Sequence, residues 1–460
     1  MFQPSTYSSR RACLKKQLDS GVLIFLGNTE SPMNYPDNTY RFRQDSSFLY
    51  YYGLDSPDLI GIIDLDEEKE IIFGDELTID HIVWMGDLPT IQERAQKVGV
   101  SETQPSGNLK KYIEIAVKKN RKLHFLPPYR GENKLILAQL LGTDPLTVTA
   151  SASEEFTKAV VEMRAVKTEE EIVQIEEAVD ISVDMHLAAM KMAKPGMTEG
   201  DIAAEMHRIA LAAGGNLSFP VIATIHGETL HNHYYGNVLK EGDLFLLDAG
   251  AENAMHYAGD LSSTFPVSKK FTDTQKLIYN ITLQAHNAAV DTLAPGTKNL
   301  EVHLNACKTI AEGMKDLGLM KGNVNDAVQA GAHALFFPCG TGHMMGLDVH
   351  DMEDLGEVYV GYEGKPKFTQ FGLKSLRLAR PLKPGFVLTI EPGIYFIPQL
   401  IDLWQKQGKF KEFLNYDKIN EYRDFGGIRN EEDYLITDDG KRLLGKKKPK
   451  TIEEVESIRG

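Results

Sequence analysis

Two stretches of the chain carry one pattern of apolar and polar positions. Leu239-Lys-Glu-Gly-Asp-Leu-Phe-Leu-Leu-Asp-Ala-Gly250 and Leu382-Lys-Pro-Gly-Phe-Val-Leu-Thr-Ile-Glu-Pro-Gly393 each lead through Leu-Lys-x-Gly into a short apolar run that ends on an acid. A run of this length bounded by glycines predicts a buried strand. Asp248 follows Leu239 by nine positions (248 − 239), and Glu391 follows Leu382 by nine (391 − 382). The elements ahead of each run repeat as well. Thr168-Glu-Glu-Glu171 forms a capping box for a helix with Ile172, Ile175, Val179 and Ile181 inward. That helix stops at Pro195-Gly196. Thr198 and Asp201 open a second helix that ends at Gly214-Gly215. Later, a helix from about Thr274 stops near Ala294-Pro-Gly296, and another runs from about Leu300 to Leu317. The two Pro-Gly pairs are one hundred residues apart (295 − 195). Helix, Pro-Gly, helix and strand occurring twice predicts an internal duplication. Two copies are too few for a solenoid.

The first 150 residues alternate differently. Val22–Leu26, Leu59–Ile63 and Glu70–Phe73 are predicted strands, while 90–98, 109–118 and 132–141 follow the helical period. Composition turns small and polar from Gly142 to Ser153. This places an α/β domain over 1–153 and a second domain over 154–460. The aromatic stretch from Arg41 to Gly53 fits a strand packing its rings inward, or an exposed contact surface.

Bulk properties narrow the possibilities. The chain has 460 residues, enough for two domains. Its formal charge of −15 argues against a nucleic-acid surface. The basic cluster Lys441, Arg442, Lys446 to Lys448 and Lys450 is expected to be a solvated tail. No segment has the length and apolarity to span a membrane, and no signal peptide is evident. Cys13, Cys307 and Cys339 are odd in number and far apart, which points to a reducing cytoplasm.

Acids and histidines gather around the repeated strands. Asp248 ends the first strand and Asp260 falls in the next candidate strand, His256–Phe265. Carboxylates seldom sit in such apolar settings without a charged partner or a metal. Gly340-Thr-Gly-His-Met-Met-Gly-Leu-Asp-Val-His-Asp351 brings His343 and His350 together among glycines. Phe425-Gly-Gly-Ile-Arg-Asn-Glu-Glu-Asp433 ends in three acids, either a solvated edge or one acid pointing inward.

These residues resemble the pita-bread metallopeptidases, and within them the Xaa-Pro aminopeptidases and Xaa-Pro dipeptidases, over nearly the whole chain. The resemblance implies an α+β pita-bread catalytic domain with a pseudo-two-fold duplication. It implies a two-metal centre on Asp248, Asp260, His343, Glu391 and Glu431. Four carboxylates balance two divalent ions, and oxygen-rich ligands favour Mn²⁺, with Co²⁺ or Zn²⁺ possible. Such a centre activates water against the scissile carbonyl, Glu391 handling the proton. His231, seventeen positions before Asp248 (248 − 231), and His350 match histidines that hydrogen-bond substrate and oxyanion. Asp260 follows Asp248 by twelve positions (260 − 248), one more than is usual in the family, which a small bulge would absorb.

The resemblance also implies proline-containing peptides as substrates and a homodimer. Gly372-Leu-Lys-Ser-Leu-Arg-Leu-Ala-Arg380 is similar to the dipeptidase version, with Arg377 placed to bind a substrate carboxylate. Cys339 stands where the family usually has His, four residues before His343; a small buried hydrophobe, altered specificity or an added soft metal ligand are alternatives, and reduced but real activity is the expectation. Three rivals rank lower. A non-catalytic pita-bread binding protein and a metal-free creatinase-like hydrolase both conflict with retention of all five ligand types. A methionine aminopeptidase lacks the long N-terminal domain.

Overall fold

The computed structural model describes residues 1–460. The chain divides into two compact units: Met1–Arg164 with Met352–Gly356, and Ala165–Asp351 with Glu357–Gly460. The first unit runs past the boundary expected at 153 because helix Glu154–Ala165 packs into it. Phe156 sets its ring edge-on to Phe25 at 5.1 Å, and Arg164 donates to Ser47 at 2.9 Å.

The first unit is built on a five-stranded mixed sheet of order β4-β3-β2-β1-β5. Its strands are β1 Val22–Leu26, β2 Ile60–Asp64, β3 Lys69–Phe73, β4 Glu102–Gln104 and β5 Leu123–Phe125. Helices Leu109–Lys118 and Gly131–Leu141 cover one face. Val22, Ile24, Ile62, Ile71 and Phe73 meet Leu109, Ile113 and Leu137 there as one core. The aromatic stretch does pack inward, but as a helix. All seven residues of Ser46–Tyr52 are buried, with Asp45 accepting from Phe48 N at 2.8 Å and Gly53 at φ +62° closing the end. A helix-capping acid and a left-handed glycine eight positions apart outweigh the strand preference of the tyrosines.

The second unit contains the duplication. Helices Glu169–Met192 and Glu199–Ala212 are matched by Asp273–Thr292 and Asn299–Asp316. Ile172, Ile175 and Val179 are buried as expected, and Ile181 is half-buried. Both Pro-Gly turns are tied to the leucine that begins each repeated stretch. Gly196 N donates to Leu239 O at 2.9 Å, and Gly296 N to Leu382 O at 2.8 Å. The return bonds, Leu239 N to Met197 O and Leu382 N to Thr297 O, are 2.8 and 2.9 Å. The sequence echo is therefore a structural one.

Strands β6 Ile222–Thr224, β7 Leu244–Asp248 and β8 Ser262–Pro266 form the first half's sheet, with β7 central. In the second half β9 Val387–Ile390, β12 Glu432–Thr437 and β13 Gly440–Leu443 form its counterpart. A two-stranded ribbon pairs β10 Gly393–Tyr395 with β11 Gly427–Arg429. Two expectations need correction. The strand begins only at Ser262, so Asp260 precedes it. No bulge intervenes: one register runs from Leu244↔Pro266 through Asp248↔Ser262 to the bridge Glu252↔Ala258. The spacing is taken up in the hairpin connection, where His256 adopts φ +67°. An unbroken register with even spacing leaves Asp248 and Asp260 on one face of the ribbon.

The basic cluster is a solvated tail only in part: Arg442, Lys446 and Lys447 are exposed, but its end turns inward. Lys448 is 2% exposed and donates to Ser262 O and Ser263 Oγ at 2.9 and 3.0 Å. Lys450 pairs with Glu432 at 2.6 Å. The buried acids of β12 supply the charge that draws these lysines in. No helix is long and apolar enough to cross a membrane, and all three cysteines are free.

Candidate metal centre

The end of the first half's ribbon faces that of the second half. Asp260 N donates to Asp433 Oδ2 at 3.2 Å, Glu431 N to Ser262 O at 3.2 Å, and Arg429 N to Thr264 Oγ1 at 3.1 Å. Every second residue of 260–264 thus meets every second residue of 433–429, with side chains serving as some of the rungs. This alternation sends Asp260 and Glu431 to the same pocket. Asp248 reaches it from the end of β7, Glu391 from the end of β9, and His343 from the Gly-rich segment held by Thr389.

Ligand atoms of Asp260, His343 and Glu431 lie within 4.8 Å of one another. His343 Nε2 is 3.2 Å from Asp260 Oδ2 and 3.7 Å from Glu391 Oε1. Its Nδ1 faces the Met344 carbonyl at 3.0 Å. An imidazole donating from Nδ1 holds a lone pair on Nε2, which two carboxylates would repel unless a proton or a cation lay between them. Asp248 Oδ1 and Asp260 Oδ1 are buried without a hydrogen-bond partner. Oxygen atoms left this way need a cation or a proton. The donor set, four carboxylates and one imidazole, suits hard divalent ions. The residues fit a metal centre.

Electrostatics agree. Burial, then the charges of Asp248, Asp433 and Glu391, push the Asp260 carboxyl well above its usual range. Burial, then Asp260, does the same to Glu431. Burial raises Glu391 as well, with His343 and Arg429 pulling it back. A cluster of like charges in low dielectric collects cations.

Arg429, which sequence reasoning left unassigned, is the one guanidinium inside the cluster's polar network. It is 3% exposed and donates to Asp248 Oδ2 at 2.6 Å, Ser262 Oγ at 3.0 Å and Tyr395 Oη at 2.9 Å. Ser262 Oγ passes the chain on to Glu431 Oε2 at 2.7 Å. Its place two residues before Glu431, beside a Gly-Gly turn, was the available signal. All three acids 431–433 are buried, so the solvated-edge alternative is wrong for each. Glu431 turns to the pocket, Asp433 holds Asp260 N, and Glu432 accepts from Tyr434 Oη and Lys450.

The remaining expected residues are close by. His350 places its ring 4.1 Å from that of His343, centroid to centroid. His231 lies at the surface within electrostatic reach of Arg429, Asp248, His350 and Arg377. Partial desolvation, then Arg429, lowers its pKa. Arg377 is about one-third exposed and donates to Glu357 Oε1 at 2.8 Å. Cys339 faces Glu391, Arg429 and Tyr395, and burial raises its thiol to about 12. Its thiol is therefore protonated at pH 7.

Residues 173–438 match the model of metallopeptidase family M24, and residues 7–124 that of the aminopeptidase P N-terminal domain. A human Xaa-Pro dipeptidase is 32% identical over 95% of this chain and 88% of its own length. The Xaa-Pro aminopeptidase of Escherichia coli K12 is 29% identical over 98% of this chain and 97% of its own. Among solved structures, proline aminopeptidase P II from Yersinia pestis superimposes with a TM-score of 0.82 at 27% identity. It covers 100% of this chain and 99% of that one. A zinc-substituted E. coli aminopeptidase P in complex with product gives 0.80 at 26% identity, covering 100% and 98%. The pita-bread architecture, the duplicated acid-tipped strands and these matches agree: this chain is a hydrolase and belongs to metallopeptidase family M24.

Proposed function

We propose that this protein hydrolyses the Xaa-Pro bond at the N-terminus of short peptides, with Xaa-Pro dipeptides as the preferred substrates. The observation that carries the reading is the convergence of Asp260, His343 and Glu431 within 4.8 Å, beside Asp248 and Glu391. Asp248, Asp260, His343, Glu391 and Glu431 would hold two divalent ions, Mn²⁺ by preference. Bound ions supply Lewis acidity and an activated water to such hydrolases. The likeness to dipeptidases and aminopeptidases of the same family supports the substrate class.

The chain's own groups do the rest. Glu391 has a side chain 22% exposed and a raised pKa, so it can take a proton from the attacking water and return it to the leaving amine. His231, its pKa lowered by partial desolvation and then by Arg429, and His350 donate to the substrate and to the developing oxyanion. Arg377 binds the carboxylate that follows proline in a dipeptide. The proline nitrogen carries no N–H, so the site need not hold one. The reading includes a separate N-terminal domain, a cytoplasmic location and a homodimer.

A second reading, an aminopeptidase acting on longer peptides, is favoured by one observation. Arg377 already engages Glu357, which lessens its call for a substrate carboxylate. Assaying purified, Mn²⁺-loaded protein on Ala-Pro against Ala-Pro-Ala separates the two. Faster turnover of Ala-Pro is expected; preference for the tripeptide selects the second reading, and no activity on either with metal bound rejects both.

A further inference from the structure

A second group of metal-ligating side chains lies behind the acid cluster. Helix Asn299–Asp316 carries His303 and Cys307, one turn apart and so on one face. The short 3₁₀ turn Ala332–Leu335 brings His333 against them. All three are buried, His303 and Cys307 at 0% and His333 at 1% exposure. One ligand atom from each lies within 4.8 Å of the others. His303 Nε2 and Cys307 Sγ are already 3.4 Å apart.

Packing alone accounts for part of this. Cys307 can be a small buried hydrophobe whose S–H donates to His303 Nε2. It leaves His333 only partly explained: the Val328 carbonyl lies near enough to raise its pKa against burial, but neither ring nitrogen meets a partner in good hydrogen-bond geometry. Buried polar nitrogens left this way are costly; the other such ring, His286, lies 3.6 Å from Glu432, whereas no acid acts on His333. His303 is also oriented as a ligand. Its Nδ1 meets Thr341 Oγ1 at 2.7 Å, an outer hydrogen bond that leaves the Nε2 lone pair facing Cys307. Burial holds His303 near a pKa of about 3 and His333 near about 4, so both rings are neutral.

We propose that His303, Cys307 and His333 form a second metal site that binds one monovalent copper ion in a three-coordinate S,N,N arrangement. Thiolate and imidazole donors select soft ions, and no carboxylate acts on the three groups to favour Mn²⁺ or Mg²⁺. Charge decides between copper(I) and zinc. Cu⁺ displaces the Cys307 thiol proton, which leaves to solvent, so thiolate and ion sum to zero with no change of oxidation state. Zn²⁺ would leave one net positive charge in an interior where no carboxylate shifts any of the three groups. Bond lengths of about 2.0–2.3 Å put ligand atoms about 3.5–3.7 Å apart, so His333 closes by roughly 1 Å on binding. The site adjoins the acid cluster through Thr341 and through Cys339, which acts on Cys307 and faces Glu391. Thr341, the partner of His303, accepts Glu391 N on its carbonyl at 2.7 Å.

The test is an anaerobic titration of the reduced full-length protein with Cu⁺ against a chromophoric copper(I) chelator, followed by X-ray absorption at the copper edge. One retained equivalent with one sulfur and two imidazole nitrogens is the expected result. Cys307→Ser and His333→Leu should each lower copper affinity by more than the roughly 10- to 100-fold that loss of an outer partner costs. Cys339→Ser and Asp260→Asn should keep it. The wild-type spectrum does not depend on how the variants fold. No retained equivalent, a spectrum without both imidazoles, or loss of copper in Cys339→Ser would overturn the site. Zinc holding the same ligands against copper would overturn the choice of ion. None of these readings involves peptide hydrolysis, so the outcome is independent of the proposed activity.

Discussion

Arg429 Nη2 lies 2.6 Å from Asp248 Oδ2, with 4% and 12% of the two side chains exposed, and so joins the two halves of the duplicated domain. Desolvation opposes the guanidinium's charge, but Tyr395, Asp248 and Glu391 outweigh it. Removing one partner of a buried pair typically costs about 3–5 kcal/mol, because the other charge stays behind. Arg429→Met should therefore destabilise the protein on that scale. Metal at the cluster would offset part of it by compensating Asp248. Urea unfolding with Mn²⁺ and with chelator measures both, and an equal loss in each would separate Asp248 from any metal role.

Asp260→Asn should lose at least one equivalent of bound Mn²⁺. Activity should drop by roughly 10²-fold or more, the scale of several kcal/mol of charge stabilisation. The motivation is Asp260's position between His343 and Asp433, with Oδ1 unpartnered. Metal analysis and kcat on one preparation decide it. Full metal content with full activity would refute the two-ion assignment.

Arg377 discriminates between substrates. A hydrogen bond to a charged group contributes roughly 1.5–3 kcal/mol. Arg377→Ala should then lower kcat/KM for Xaa-Pro by roughly 10- to 150-fold and spare Xaa-Pro-Yaa. Because Glu357 competes for the same guanidinium, Glu357→Gln should leave Xaa-Pro binding unchanged or tighter. Equal losses on both substrates in Arg377→Ala would make the residue structural.

Cys339 is expected to limit the rate. Its thiol, raised to about 12 beside Glu391, neither donates strongly nor ionises. Cys339→His should raise turnover, while iodoacetamide should react slowly at pH 7. Unchanged kinetics in Cys339→His would assign the position to packing.

Acid should destabilise the fold through its buried histidines. His186 is held at about 3 by burial and by Lys448, between Ser263 Oγ at 2.9 Å and Ala249 O at 3.0 Å. Its folded pKa lies below the unfolded 6.5, so the unfolded chain binds more protons below pH 6.5. Stability therefore falls as pH drops from 6.5 towards 3, by about 1.4 kcal/mol per pH unit. His286, at about 4, acts in the same direction. Raised carboxyls of the metal-free cluster act oppositely, so the comparison is between wild type and His186→Gln at pH 7, 6 and 5. Its stability should fall less steeply with acid by that amount per unit, and parallel curves would contradict the assignment.

Much of the molecule was legible in the chain because it rests on local, periodic signals. The capping box at Thr168, the Pro-Gly stops and the two Leu-Lys-x-Gly strands fixed helices and strands to within a residue or two. They also revealed the duplication, since each copy must solve the same packing problem. The five expected ligand positions could be named from a resemblance that reads spacing and residue type. Position in space is another matter. Whether Asp433 faced water, or Lys448 trailed in solvent, depends on a segment more than 160 residues away that pairs with both. Asp260's direction depended on an unbroken ribbon register, and Arg429's role on four partners drawn from both halves. The tyrosines of 50–52 went into a helix because Asp45 and Gly53 bracket them. Pairing across distant segments is paid for by tertiary burial, and no local pattern records it.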